Sequence, residues 1–238
     1  MPTPRKVIIT SRSLERANKA ISSLKGEEGY NPVCSFSAFE LDVSSPSSTI
    51  AFAERVSKEN DYLDVLVNNA GLALDRYLPE LEDVSLGALQ KRTELFQETL
   101  CTNVIGPDIL TAALLPLLSK SAKPRLIFIS SGLGSMGMNA DPSSSFAVVK
   151  DYMYRASKAA LNMLMQNWHR ELRDKGFKVY GICPGFNATL LGGDAEAAAK
   201  LGATDPSVGG SIIADVILDK RAGEEGLVVG GGGKVRPW

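Results

Sequence analysis

Short runs of β-branched residues alternate along the chain with longer segments of helical periodicity. The sequence predicts strands at 6–10, within 33–43, and at 63–67, 125–129, 177–183 and 227–229. It predicts helices at 13–24, 44–58, 93–118 and 150–175, where apolar residues recur with helical spacing. Strands that alternate with helices of this length form βαβ units. We therefore expect one α/β domain, spanning 1–238, with a doubly wound parallel sheet.

Composition and charge narrow the class of protein. The chain is 44% apolar and 22% charged, and its formal net charge is -1, so nothing favours binding to nucleic acid or to a membrane surface. Its three cysteines are widely spaced without a CxxC pair, which predicts neither a disulfide framework nor a metal site. The start of the chain lacks a signal-peptide pattern, and no apolar run approaches the roughly 20 residues of a membrane span. We expect a cytoplasmic protein.

Two glycine clusters imitate phosphate-binding loops. The segment 132–137 matches G-x-G-x-x-G after a strand, but the residues that follow it break helices, and this motif needs a helix at its end. A flexible active-site loop is the better prediction there, with a cofactor loop as the alternative. The cluster 230–233 is followed by only five residues, which predicts a strand end that frays into a tail.

Tyr154 and Lys158 stand four residues apart in a predicted helix, so they share one face. A free tyrosine has a pKa near 10 and is a poor acid–base catalyst at neutral pH, but a nearby ammonium lowers that pKa. The pair alone is a weak signal, because it arises often by chance on solvated faces. Polar groups at two strand ends strengthen it: Ser130-Ser131 closes one strand and 68–71 closes another. Ligands of parallel sheets bind beyond such carboxyl ends.

Together these motifs resemble the short-chain dehydrogenases/reductases, most closely the carbonyl-reductase-like members. The resemblance runs from about Lys6 to Gly231. Its motifs are Leu41-Asp42-Val43, 64–71 with Asn68-Asn69-Ala70-Gly71, Thr102-Asn103-Val104, Ile129-Ser130-Ser131, Tyr154 to Lys158, and Cys183-Pro184-Gly185 through Thr189. The resemblance implies a Rossmann-like fold and a short helix over the substrate at 194–200.

The resemblance also implies catalytic roles. Tyr154 would be the general acid for carbonyl reduction, or the base for alcohol oxidation. Lys158 would lower the tyrosine pKa and hold the nicotinamide ribose hydroxyls. Ser131 would hydrogen-bond the substrate oxygen as charge develops there, and Asn103 would orient a water that relays protons to Lys158.

Cofactor-binding residues follow from the same resemblance. Asp42 and Val43 would contact adenine. The cofactor cleft would be lined by Asn69, Ala70 and Gly71. Pro184 and Gly185 would also bind the cofactor, and Thr189, which follows them, would meet the nicotinamide carboxamide.

The preference between cofactors can be argued from charge. The strand at 6–10 is followed by Ser11-Arg12-Ser13, with Arg16 one turn later. Sites that prefer NAD place an acid at the end of the equivalent strand, where it binds the ribose 2′-hydroxyl. Arginines without an acid suit a 2′-phosphate, so NADP is expected over NAD. The alternative is that both arginines are merely solvated residues at a helix start.

Two features depart from the family pattern. The family opens with a βα unit whose T-G-x-x-x-G-x-G loop cradles the pyrophosphate, whereas the first strand here, 6–10, matches the family's second strand. The first family strand is central in its sheet, so the strands at 6–10 and 63–67 must pair with each other, recruit another segment, or leave a damaged sheet.

The stretch between Ser131 and Tyr154 is longer than in many relatives, a feature that accompanies a monomeric state. A monomer and a homodimer both stay open.

These observations predict an NADP-dependent oxidoreductase that transfers a hydride between the nicotinamide and the carbonyl or alcohol carbon of a small molecule. Two alternatives stay open. One is a pseudoenzyme that keeps the scaffold to bind a small molecule or a partner. The other is non-redox chemistry, such as isomerisation or cyclisation, that uses Tyr154 and Ser131 without hydride transfer.

Overall fold

The computed structural model describes residues 5–27 and 30–238; the first four residues and positions 28–29, which the single-domain prediction includes, lie outside this description. The strands are β1 (Lys6–Ser11), β2 (Ser35–Glu40), β3 (Val65–Asn68), β4 (Arg125–Ile129), β5 (Lys178–Cys183), β6 (Val228–Gly230) and β7 (Val235–Arg236). The α-helices are α1 (Leu14–Leu24), α2 (Pro46–Glu59), α3 (Leu86–Leu100), α4 (Gly106–Leu118), α5 (Met136–Ala140), α6 (Tyr152–Leu172), α7 (Ala195–Lys200) and α8 (Pro206–Ile217).

The described strands form two separate sheets. β1 pairs with β2 in parallel, from Lys6 opposite Ser35 to Ser11 opposite Glu40. The other sheet has the order β3-β4-β5-β6-β7 and is parallel except for its last pair. Of the three outcomes expected for the strands at 6–10 and 63–67, the structure shows the damaged sheet, because no ladder joins β1 to β3.

Helices cover both faces of the larger sheet. On β4, Leu126 and Phe128 pack into a cluster with side chains of α4 and α6, whereas Ile127 and Ile129 pack against α8. Successive side chains of a strand point to opposite faces, so a strand covered on both sides is apolar throughout. All five residues of β4 are buried. This arrangement confirms the doubly wound, mostly parallel α/β fold.

The two sheets are joined by side-chain packing rather than by a ladder. Phe39 of β2 and Leu66 of β3 belong to the same core cluster, together with Phe52 and Val56 of α2. β1 is nevertheless less well covered than a central strand would be, and its Val7 side chain is 36% exposed. The split therefore leaves apolar strand surface exposed to water.

The long helical region begins earlier than the predicted start at 93. Ser85 caps it, because its Oγ accepts a hydrogen bond of 3.3 Å from the Ala88 amide. One π-helical turn, Cys101–Ile105, joins α3 to α4. Pro107 has no amide hydrogen to return to the Asn103 carbonyl, and such a break in the helical ladder is accommodated by the wider turn.

The sequence prediction found no apolar run long enough to span a membrane, yet the continuous helical stretch Leu86–Leu118 has the necessary length. It contains 33 residues, and its mean hydropathy reaches 1.5 over 18 of them. By length and composition alone it could cross a bilayer. In the structure 39% of this 18-residue window is buried, with Leu114 and Leu118 in the core cluster, so part of the apolar character is used in packing.

Two further elements differ from the prediction. The prediction of a strand end that frays into a tail at 230–233 is wrong. The chain turns there, with positive φ at Gly232 and Gly233, and returns as β7, which pairs antiparallel with β6. Glycine adopts such φ values without a steric penalty. α8 was not predicted, because Gly209 and Gly210 interrupt its helical pattern.

Candidate active site

The carboxyl ends of β3, β4 and β5 gather the predicted site residues at one edge of the larger sheet. Asn69 to Gly71 follow β3, Ser131 follows β4, and Pro184 and Gly185 follow β5. Parallel strands bring these ends together. α6 packs against β5 and against the turn that follows Ser131, and it carries Tyr154 and Lys158 to the same place.

Tyr154, Lys158 and Ser131 form the centre of the site. Tyr154 is 8% exposed and Lys158 is 3% exposed. The Lys158 Nζ lies 5.5 Å from the centroid of the Tyr154 ring. The Ser131 Oγ accepts a hydrogen bond of 3.1 Å from the Leu133 amide, and the nearby Ser131 hydroxyl acts to lower the pKa of Tyr154. A buried phenol, a hydroxyl and an ammonium thus converge.

Burial dominates the acid–base properties of both titratable groups. It raises the pKa of Tyr154 above its usual value, against the opposing effect of the nearby Ser131 hydroxyl. Burial also lowers the pKa of Lys158 to about 8. The expected lowering of the tyrosine pKa by Lys158 is not seen here; the Lys158 Nζ instead donates a hydrogen bond of 2.7 Å to the Ile129 carbonyl.

Lys158 should make the stability of the fold depend on pH. Its pKa is about 8 in the folded protein, against an ordinary value of 10.5, so below pH 8 folding carries the cost of a buried ammonium, about 3 kcal/mol at ~1.4 kcal/mol per pKa unit. Between these two pKa values the unfolded chain binds more protons, so the free energy of unfolding rises with pH. We expect Lys158→Met to lack this rise in urea unfolding at pH 7 and pH 10. Parallel pH profiles for the two proteins would contradict the assignment.

Asn103 lies in the π-helical turn and is fully buried. Its Oδ1 accepts a hydrogen bond of 2.7 Å from the Leu72 amide, and its Nδ2 donates to the Leu72 carbonyl at 2.8 Å. A Cβ built at Gly71 would lie 3.5 Å from Asn103 Oδ1 and 3.7 Å from Lys158 Nζ. Asn103 and Lys158 therefore face the same small space beside Gly71.

Ser157 is a site residue that the sequence reasoning missed. Its hydroxyl accepts from Asn103 Nδ2 at 2.9 Å and donates to the Tyr154 carbonyl at 2.7 Å. It therefore links the π-helical turn to α6. Its position three residues after Tyr154, on the same helix face, was the available signal.

The loop after Ser131 is packed rather than flexible. Gly132–Gly134 forms one 3-10 turn and α5 follows it, so the helix break expected after Gly137 comes only after Ala140. A Cβ at Gly134 would lie 2.7 Å from the carbonyl carbon of Lys158. The Gly132 amide also donates to the buried Cys183 Sγ at 3.0 Å. These glycines allow the Ser131 loop to approach α6 closely.

The long stretch before Tyr154 packs against the Ser131 loop. A Cβ at Gly132 would lie 2.8 Å from the ring of Phe146. The guanidinium of Arg155, which is 8% exposed, donates to the carbonyls of Phe146 at 2.6 Å and Val149 at 2.9 Å. Arg155 therefore anchors this stretch to α6, a role that no sequence pattern predicted.

The residues predicted to hold the adenosine end lie on the smaller sheet and beside it. Arg12 and Asp42 follow β1 and β2, and the pKa of Asp42 is lowered chiefly by the Ser44 hydroxyl, with a contribution from the Arg12 charge. Val43 packs against the start of α4, where a Cβ at Gly106 would lie 2.8 Å from the Val43 carbonyl oxygen. An open recess of about 640 Å³ is lined by Arg12, Ser13, Glu15, Arg16 and Lys19.

The remaining cofactor candidates lie at the larger sheet. Asn69 and Ala70 are exposed, and Gly71 is half-buried. Thr189 is exposed, and its Oγ1 accepts from the Leu191 amide at 3.4 Å. Across residues 5–27 and 30–238, no group of three or more His, Cys, Asp or Glu side chains is placed to hold a metal ion.

Comparison with known proteins identifies the family. The family model described as short chain dehydrogenase matches residues 3–200. The chain belongs to the short-chain dehydrogenase/reductase family. The short-chain dehydrogenase/reductase eupG of a Phoma species is 40% identical over 92% of this chain and 82% of its own length. The short-chain dehydrogenase/reductase tropE of Talaromyces stipitatus is 34% identical over 94% of this chain and 84% of its own.

Solved structures agree. The NADPH-bound carbonyl reductase from chicken fatty liver superposes with a TM-score of 0.71 at 26% identity, over 98% of this chain and 87% of that one. The carbonyl reductase Sniffer of D. melanogaster gives a TM-score of 0.75 at 25% identity, over 100% and 90%. This short-chain dehydrogenase/reductase is therefore carbonyl-reductase-like, an oxidoreductase of a family that uses NAD(P) and acts on small molecules.

Proposed function

We propose that this short-chain dehydrogenase/reductase transfers a hydride between NADP(H) and a carbonyl or alcohol carbon, with Tyr154 as the general acid or base. The observation that carries the proposal is that the Lys158 Nζ lies 5.5 Å from the centroid of the buried Tyr154 ring, at the strand end that also presents a second hydroxyl, that of Ser131. A substrate oxygen placed beside both would accept hydrogen bonds from both. Such donors stabilise the negative charge that develops on a carbonyl oxygen during reduction.

The protonation states suit carbonyl reduction. Because burial raises the pKa of Tyr154, the phenol holds its proton at neutral pH and can give it to the substrate oxygen. Lys158, with a pKa of about 8, is mostly protonated at neutral pH but can release a proton easily. A water in the space that Lys158 shares with Asn103 would return protons from Lys158 toward the tyrosine.

The residues fit the two ends of NADP(H). The open recess is lined by three cations, Arg12, Arg16 and Lys19, and by one acid, Glu15. Its positive balance suits a 2′-phosphate, because arginine pairs with phosphate through two parallel hydrogen bonds. At the other end, Lys158, Gly71 and Thr189 would hold the nicotinamide ribose and carboxamide. The cofactor supplies the hydride when it is bound.

The cofactor preference gives a direct test. Arg12→Ala should weaken NADPH binding about tenfold and leave NADH binding within about twofold, because only NADPH carries the phosphate and a charge-assisted hydrogen bond is worth ~1.5–3 kcal/mol. Calorimetric titration of the full chain measures both. Arg173→Ala removes an equivalent exposed charge after α6 and serves as the control. Equal losses for both cofactors, or no saturable NADPH binding to the unsubstituted chain, would contradict the proposal.

The substrate that fits the mouth is apolar. Large apolar side chains are exposed in the segments beside the site: Met136 at 67%, Val148 at 76%, Phe186 at 57%, Leu190 at 77% and Leu191 at 41%. Contact with an apolar substrate would remove this surface from water, a favourable change of about 25 cal/mol per Å². We therefore propose an apolar carbonyl compound or the corresponding alcohol. The rate of NADPH oxidation, monitored by fluorescence with apolar and with charged ketones in parallel, tests this substrate class. A preference for the charged ketones would contradict the proposed apolar substrate.

A further inference from the structure

A short segment between β3 and α3 contacts both the catalytic helix and the segment that follows β5. The second of these, residues 187–204, is called the lid here; it contains the Leu190–Gly192 turn and α7. Its base is closed by hydrogen bonds from Ala188 N to the Thr204 carbonyl at 2.8 Å and from Thr204 N to the Phe186 carbonyl at 2.9 Å. The contacting segment is the 3-10 turn Asp75–Tyr77.

Asp75 caps the catalytic helix from outside. Its Oδ1 accepts from the Met153 amide at 2.7 Å, and its Oδ2 accepts from the Tyr154 amide at 3.1 Å. The residue at the N-cap position of α6, Asp151, makes no capping hydrogen bond with its own side chain. The first amides of a helix have no partner within the helix, so Asp75 fixes the backbone that carries the Tyr154 phenol.

Arg76, the next residue, holds the tip of the lid. Its guanidinium lies over the Tyr77 ring, 4.5 Å from the centroid, and donates to the Tyr77 hydroxyl at 2.7 Å. It also donates to the Gly192 carbonyl. Gly193 has a φ of +93°, and a Cβ there would overlap the Arg76 guanidinium. The lid tip is therefore shaped around this one arginine.

We propose that Asp75 is a positioning residue for Tyr154, and that Arg76 ties this positioning to the closed lid. The two neighbours act as one brace: when the lid is down, Arg76 is held, and Asp75 keeps the first turn of α6 in place. When the lid opens, the brace loosens and the Tyr154 backbone moves with it. This inference rests on the proposed role of Tyr154, but its structural part can be tested without any turnover.

Amide hydrogen exchange of the full chain without ligand, read at single residues by NMR, tests the brace. Asp75→Asn retains one acceptor oxygen and the size of the side chain, and should speed exchange of the Met153 and Tyr154 amides by about tenfold, as for loss of a helix cap. Arg76→Ala should speed exchange both in the lid and at these two amides. Lys120→Ala, an exposed residue after α4, should change neither. An Arg76→Ala effect confined to the lid overturns the coupling, and unchanged Met153 and Tyr154 amides in Asp75→Asn overturn the positioning role.

Two glycines of the lid provide a matched pair. Gly193→Ala places a methyl group where the Arg76 guanidinium lies, whereas Gly202→Ala meets the same kind of positive φ, +90°, with open space around it. The backbone strain is therefore similar, and only the first variant displaces Arg76. Gly193→Ala should reproduce the effect of Arg76→Ala at the Met153 and Tyr154 amides. Equal effects of the two alanine variants at these amides would contradict the brace.

Kinetics separate the two residues in the working enzyme. Asp75→Asn should lower kcat about tenfold and leave the substrate KM within about twofold, because misplacement of the acid affects the chemical step. Arg76→Ala should raise KM as well, because the lid no longer closes over the substrate. A change in KM alone for Asp75→Asn would overturn its positioning role. If the unsubstituted chain shows no turnover, the proposed function fails, while the exchange measurements still decide the brace.

Discussion

Replacing Tyr154 by phenylalanine is expected to lower kcat for carbonyl reduction by about a hundred- to ten-thousandfold, the usual contribution of a positioned general acid. The ring, its burial and its contact with Lys158 stay, whereas the proton donor is lost. The dissociation constant for NADPH should stay within about threefold, because the phenol oxygen is one of many groups near the nicotinamide end. Steady-state kinetics with an apolar ketone and fluorescence titration of NADPH measure the two quantities separately.

A second tyrosine in the same helix supplies the control. Tyr152 is 52% exposed and has Ala156, not a lysine, four residues later. Tyr152→Phe should therefore keep nearly full activity. Carbonyl reduction by Tyr154→Phe at the rate of Tyr152→Phe would refute the assigned role of Tyr154 as the proton donor.

Gly134→Ala is expected to cause the second large loss. A Cβ at this position would lie 2.7 Å from the Lys158 carbonyl carbon and 2.9 Å from the Ala159 amide nitrogen, and both of these are backbone atoms of α6 that cannot rotate away. The loop must therefore move, at a cost of about 1–3 kcal/mol in the free energy of unfolding. It carries Ser131 away from Tyr154, and a displacement of about 1 Å can lower activity a hundredfold.

Gly87→Ala is the matched control for this substitution. Gly87 lies in α3, and nothing stands within 4 Å of a Cβ built there. Alanine is favoured over glycine inside a helix by about 1 kcal/mol, so this variant should be slightly more stable with unchanged activity. Urea unfolding and steady-state kinetics on both variants give the comparison. A Gly134→Ala enzyme with normal kcat would show that the close packing of this loop does not position Ser131.

The fold was predictable because its signals are local. The β-branched runs at β1, β3 and β4 and the helical pattern of α6 each lie within one stretch of sequence, and the alternation of such stretches predicts a doubly wound sheet. α8 and β7 were missed because glycines obscure the pattern of the first and a two-residue strand has no pattern. The sequence left three pairing outcomes open for the strands at 6–10 and 63–67, and the separation of the two sheets is one of them.

The site was predictable only where one motif carries it. Tyr154 and Lys158 share a helix face, and Ser131 ends a strand, so their convergence followed from the fold. Asp75 belongs to no local sequence pattern, because it contacts α6 from a position 78 residues before Met153. The direction of the Tyr154 pKa also could not be predicted, because it depends on how deeply the ring is buried rather than on its spacing from Lys158.

The two-sheet arrangement has a thermodynamic consequence. Among the described strands no ladder joins the smaller sheet to the larger one, so we expect the smaller sheet with α1 to open as a separate cooperative unit below the free energy of global unfolding. The two ends of the proposed dinucleotide site lie on different units, with Arg12 on the smaller and Lys158 on the larger. A ligand that contacts both units would bind only when they are packed together. Its binding free energy would therefore add to the stability of the interface between the units. For this oxidoreductase, saturation with cofactor and completion of the tertiary structure would then be a single equilibrium.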